Sequence, residues 1–162
     1  TSTGRVRPLD SVDHKIVDTL NKLVPSAALS YEQALRDLCS ASRLSWRGPA
    51  TDLREALRET LDYLAPDRQV TAQSGFKLEK DCNGPTMRQK VRFILTNRGR
   101  ASSTIAAPEQ AIVAVEEAVG SFVRSVYTRS SLSTHTPTNK DEVLRVRDWV
   151  RVVLCELLEI RQ

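Results

Sequence analysis

Aromatic residues are scarce in this chain, at 5% of 162 positions, and the apolar content is carried by Leu, Val, Ile and Ala. That balance disfavours an aromatic-rich sandwich or barrel and favours packed helices. Long apolar runs are missing too. The strongest candidate, "WVRVVLCELLEI", is broken by charges, and no stretch approaches the roughly 20 residues needed to cross a bilayer, so no membrane partner is expected. The three cysteines, Cys39, Cys82 and Cys155, are odd in number and far apart, and they do not pair with histidine at zinc spacing. Neither a disulfide framework nor a structural metal site is expected, and a reducing cytoplasm fits best. No P-loop, G-x-S-x-G or H-E-x-x-H pattern occurs, which removes the common signatures of nucleotide hydrolysis, serine hydrolysis and zinc proteolysis. No cofactor is expected. Internal repeats and low-complexity tracts are also lacking.

The length suits one ordinary domain with one core. A start at "TSTGRVRPLD", with no methionine and no signal-type segment, leads us to expect a single helical domain over 1–162, excised from a longer polypeptide whose other domains would be its partners.

Six helical patterns are readable. Val12, Ile16, Leu20 and Leu23 recur at helical spacing until Pro25, and a second pattern is expected from "SYEQ", where Ser30 and Gln33 have capping-box spacing. The third carries Leu53, Leu57, Leu61 and Leu64, with Pro49 in its first turn. Residues 66–84 look like a loop, and Gly84 and Pro85 are expected to open a fourth helix with Met87, Val91, Ile94 and Leu95 on one side. After a second connection at 97–108, Pro108 and Glu109 are expected to begin the fifth, with Ile112, Val115, Val119, Phe122 and Val126 in phase. Burying those five contributes on the order of 7 to 15 kcal/mol before entropy is subtracted. The sixth is expected to start at Thr138 or Asn139, with Asp141 and Glu142 suited to its dipole and a stripe from Val143 to Leu157. The fold class is therefore all-α, a bundle of about six helices.

Net charge is 24 minus 20, or +4, and its distribution says more than its size. No acidic residue lies between Asp81 and Glu109, whereas "MRQKVRFILTNRGR" supplies Arg88, Lys90, Arg92, Arg98 and Arg100. Such a block either attracts RNA phosphates or forms a solvated helix face. "SRLSWRGP" interleaves Trp46 with Arg43 and Arg47, an arrangement that stacks on a base or packs as a staple on the third helix. Asp10 and His14, four apart, form a surface pair or a partial ligand set without a third member. Glu116 and Glu117 face solvent or tune the region of Arg129.

Between the last two patterns, "YTRSSLSTHTPTNKDEV" places Arg129 five residues before His135. The positive end of the following helix disfavours a second positive charge and keeps that imidazole neutral, which makes it a usable general base. RNA supplies its own nucleophile, the 2′-hydroxyl, so cleavage needs a proton acceptor, a donor to the leaving oxygen and positive charge at phosphorus. One histidine and one arginine cover two of these tasks without metal. The bland alternative has Arg129 capping the carbonyls of the fifth helix and His135 incidental in a hydroxyl-rich loop.

Arg129, "SSLST" and His135, ahead of the last helix of a small bundle, resemble the R-x4-6-H motif of the HEPN superfamily of higher eukaryote and prokaryote nucleotide-binding domains. That resemblance implies a helical, commonly dimeric, metal-independent endoribonuclease of toxin, CRISPR-associated or antiphage systems, with the motif pairs of two protomers facing each other. By the same resemblance Arg129 would stabilise the phosphate and His135 would act as acid or base. Many members carry Asn, Asp or His directly after the arginine; this chain has Ser130, and Ser131, Ser133 or Thr134 would have to orient the imidazole. The stretches "SWRGPATDLREALRETLDYLAP", "GFKLE", "GPTMRQKVRFIL" and "RSSLSTHTPT" also resemble the predicted nuclease domains encoded beside prokaryotic PIWI-like proteins. A homodimeric, RNA-cleaving defence or toxin domain is the expectation. The alternative from another class is a non-catalytic helical module that binds a protein or a nucleotide within a larger effector.

Overall fold

A computed structural model describes residues 9–40, 45–129 and 139–161. Its first helix, α1 (Ser11–Leu23), starts where Asp10 and Asp13 form a reciprocal capping box. It ends at Val24, a one-residue joint to α2 (Pro25–Leu38). The expected start of the second helix at Ser30 is thus five residues late. Pro25 does not merely stop α1; at the first position of α2 its missing N–H has no helical partner to lose. The early turns of α2 are buried through Ala27, Ala28 and Tyr31, side chains too small or too polar to advertise an apolar stripe.

Helix α3 (Arg47–Leu64) buries Leu53, Leu57 and Leu61 and occupies the middle of the bundle, packed against α2, α7 and α6 and more lightly against α5. The expected loop at 66–84 contains a short helix, α4 (Asp67–Thr71), pinned by buried Val70. Helix α5 (Met87–Asn97) begins two residues later than expected, because Thr86 and Gln89 make the capping box that Gly84 and Pro85 cannot. Met87, Val91, Ile94 and Leu95 are all buried, as their spacing predicts. Gly99 ends the helix at φ 76°, a left-handed conformation that lets the Arg100 N–H reach the Leu95 carbonyl at 3.0 Å.

The largest correction concerns α6 (Ser102–Arg129), which starts six residues before Pro108 and carries that proline inside it. Buried Ile105 holds the extra turn on the core, which offsets the hydrogen bond Pro108 cannot donate. Ile112, Val115, Val119 and Phe122 are buried as expected; the Val126 side chain lies outside the described residues. Helix α7 (Asn139–Leu158) buries Val143, Val146, Val150, Val153, Leu154 and Leu157 against α6 and α3. Asn139 is its first helical residue, and Thr138 lies outside the described residues. The described residues form one continuous apolar core and no strand.

Candidate functional site

Arg129 is the last residue of α6, and α7 resumes at Asn139. The Arg129 side chain and the whole of His135 lie outside the described residues. Beside the start of α7, half-buried Trp46 packs on the core, and the Lys140 ammonium stands 5.1 Å from the centre of its ring. Arg43 lies outside the described residues.

The five basic residues of the 88–100 block do not share one face. Arg88 pairs with Glu79 at 2.6 Å and Arg92 with Glu109 at 2.7 Å. Arg98 and Arg100 turn to the end of α7, with Glu159 at 3.6 Å and Glu156 at 3.8 Å. Lys90 is buried, its ammonium 2.8 Å from Asp62 and 2.6 Å from Asp67. The carboxylates missing from this stretch of sequence arrive from α3, α4, α6, α7 and the segment before α5. Any phosphate that binds here exchanges with them.

Asp10 is not a partner for the His14 ring but the N-cap of α1, and Arg151 of α7 donates to its carboxylate at 2.6 Å. Burial by itself would raise the Asp10 carboxyl, but the Asp13 backbone N–H and the Arg151 guanidinium outweigh it and hold Asp10 below the ordinary value. Beneath it the fully buried Tyr31 hydroxyl donates to Asp13 at 2.8 Å. Burial, and after it the Asp13 carboxylate, pushes the phenol far above its ordinary value. Residues of α1, α2 and α7 are thereby joined by one polar network, enclosed at Tyr31 and Asp13 and reaching solvent at Asp10.

A second network is open. Glu116 of α6 accepts from Arg54 of α3 at 3.1 Å, Arg54 also reaches Glu55 at 3.2 Å, and Arg58 bonds both Glu55 at 2.6 Å and Asp62 at 2.8 Å. Asp62 passes the chain of alternating charge to Lys90, and Lys90 to Asp67. All of these groups but Glu55 line a cleft of about 730 Å³ whose walls come from α3, α4, α5, α6 and residues 79–86. Four cationic side chains and five carboxylates face it. Burial tends to lower the Lys90 ammonium, but hydrogen bonds to Asp62 and Asp67 more than offset this and hold it above the ordinary lysine value. The hydrogen bonds that Arg58 donates to Glu55 raise the guanidinium in the same direction.

Glu116, one of two glutamates with no assigned partner in the sequence, therefore belongs to the cleft. Sequence periodicity marks Lys90 only as a charged residue on the buried side of α5, one step before Val91; that mismatch is the signal that a cation is held inside. Among the described residues no group of three or more His, Cys, Asp or Glu side chains is placed to hold a metal ion, and no helix is long and apolar enough to cross a membrane.

The family described as predicted pPIWI-associating nuclease matches residues 20–153, a span that runs from α1 into α7 and takes in both the cleft and the Arg129 to His135 segment. No curated protein and no solved structure matches.

Proposed function

Since the chain belongs to the family of predicted pPIWI-associating nucleases, we propose that it is a HEPN-like, metal-independent endoribonuclease of prokaryotic defence or toxin systems, acting as a homodimer. The observation that carries this reading is the family match across residues 20–153. The all-helical bundle and the position of Arg129 at the end of α6 agree with it.

In the proposed reaction the imidazole of His135 removes the proton from a ribose 2′-hydroxyl. The oxygen attacks the adjacent phosphorus, a 2′,3′-cyclic phosphate forms, and the bond to the 5′-oxygen breaks. That leaving oxygen takes a proton from the facing protomer's His135, which enters the step protonated while the first enters neutral, so the two copies exchange states and proton and charge balance without a metal. Arg129 holds the non-bridging oxygens as negative charge gathers on them, where a guanidinium forms two parallel hydrogen bonds. Arg88, Lys90, Arg92, Arg98 and Arg100 would steer the RNA by exchanging their carboxylate partners for phosphates. The enzyme is expected to work in the cytoplasm as one domain of a longer polypeptide.

Cleavage of a labelled RNA by the purified dimer in EDTA, compared with His135→Ala and Arg129→Ala, tests this. The parent cuts without added metal and each variant loses about a hundredfold or more of its rate. Equal activity of all three proteins, or a strict need for metal, overturns it. Because the family description also names an association with a PIWI-like protein, the competing reading is a non-catalytic binding module. On that reading His135→Ala keeps its biological function, whereas charge reversals on exposed helix faces abolish assembly.

A further inference from the structure

We infer that the cleft between α3, α5 and α6 is a phosphate-ester binding site, separate from Arg129 and His135, with Arg54, Arg58 and Lys90 as its cationic residues. This rests on the nuclease reading only for the expectation that the phosphate belongs to a nucleic-acid strand.

The floor of the cleft carries the first argument. Only 4% of the Lys90 side chain is exposed, a costly position for an ammonium in a helical core. Asp62 and Asp67 take two of its three N–H donors, which leaves one for the cavity that Lys90 lines. The walls carry the second. Arg54 and Arg58 keep 30% and 40% of their side chains exposed while Glu55 holds both guanidinium groups in place, so the donors are pre-positioned yet reachable. Third, α5 opens onto the same cavity through Thr86 and Met87. The capping box occupies the Gln89 N–H, but those of Met87 and Arg88 have no intrahelical acceptor, and the positive end of the helix dipole points the same way.

Five carboxylates share the cleft with its cations, so an anionic ligand enters by displacing one of them, and a free carboxylate would use only part of the donor set. A tetrahedral phosphate can accept from Lys90, from a guanidinium and from the helix end together. The carboxylates of the cleft fit this arrangement as displaceable partners. Asp67, on the five-residue α4, leaves 68% of its side chain in water, so it can give up Lys90 and remain hydrated. An acidic partner that competes with the ligand has a distinctive consequence: neutralising it strengthens binding.

The experiment is fluorescence anisotropy of a labelled single-stranded RNA at low salt, with AMP and inorganic phosphate as competitors. Thermal melting by circular dichroism verifies the fold of each variant. Arg54→Gln and Arg58→Gln each weaken binding about tenfold, as loss of one charge-assisted hydrogen bond requires. Lys90→Met weakens it as much. Asp67→Asn tightens it severalfold, and Arg36→Gln, which removes an equal charge from an ion pair on α2, leaves it unchanged. Displacement by AMP at micromolar concentration identifies a nucleotide site, whereas competition only by longer strands identifies the backbone of a nucleic acid. If both arginine variants bind like the parent, or Asp67→Asn weakens binding, the inference falls. Failure of the nuclease reading looks different: the cleft variants still lose affinity, but parent and His135→Ala cleave equally.

Discussion

Two charged networks tie this bundle together, one enclosed at its centre and one open along its length. At the α1, α2 and α7 junction, Arg151, Asp10, Asp13 and Tyr31 satisfy one another around a phenol with no exposed surface. In the cleft, the chain from Glu116 to Asp67 has three cations, each with a water-facing side of the cavity near it. The difference shows how burial sorts a charged cluster. Where the central pair is enclosed, as Tyr31 and Asp13 are beneath a half-exposed Asp10, removing one strands the other without water, so the cluster holds the fold; where most partners are half in solvent, they rehydrate and can be exchanged for a ligand.

The sharpest way to break the comparison is to remove one acid from each side. Asp13→Ala strands the Tyr31 hydroxyl and deletes half of the α1 capping box, and urea titration is expected to show a loss of about 2 to 4 kcal/mol. Asp62→Ala, with its carboxylate 46% exposed, is expected to cost about 1 kcal/mol or less, since Lys90 keeps Asp67 and Arg58 keeps Glu55. Equal costs for the two would erase the distinction.

Acid sharpens it further. The Asp10 carboxyl is held below its unfolded value, so it contributes stability that is present above the ordinary carboxylate range near pH 4 and is lost as pH falls through the lower folded value. Chemical denaturation between pH 5 and pH 2 is expected to show a smaller loss in Asp10→Asn than in the parent, the variant having already given up that contribution. Lys90 works in the other direction. Its raised value contributes stability that is complete below the unfolded lysine value and is lost as pH rises through the folded one, and Lys90→Met removes that alkaline dependence.

The smallest expected effect lies outside both networks. Glu159 sits past α7 at φ 57° without the freedom of glycine, while the Ile160 N–H reaches the Cys155 carbonyl at 2.9 Å. Glu159→Gly is expected to raise stability by up to about 1 kcal/mol, less whatever the 3.6 Å contact with Arg98 contributes. A melting curve that moves down instead would mean the ion pair outweighs the backbone strain.

The apolar stripes were legible in the sequence because their side chains are bulky and regularly spaced: Ile112 to Phe122 and Val143 to Leu157 are buried where periodicity puts them. The helix starts were less so. Pro25 closes α1 as its position predicts but also opens α2, and Pro108, which reads as a helix start, lies inside α6, since a proline fits a first turn or a supported interior as readily as a stop. Ion-pair partners were not legible at all: Lys90 meets Asp62 across 28 positions and Arg151 meets Asp10 across 141. A block without acids in sequence is therefore not a block without acids in space. Of the two site residues drawn from the R-x4-6-H resemblance, Arg129 ends α6 and His135 lies outside the described residues.

Helix α6 also acts as a ruler. Glu116, on the wall of the cleft, and Arg129, at the helix end, are separated along one rigid rod by about 20 Å at 1.5 Å per residue. A strand stacked at about 3.4 Å per phosphate covers that span with about six nucleotides. For the proposed cleft and Arg129 to engage one stacked strand together, that strand would need at least about six nucleotides.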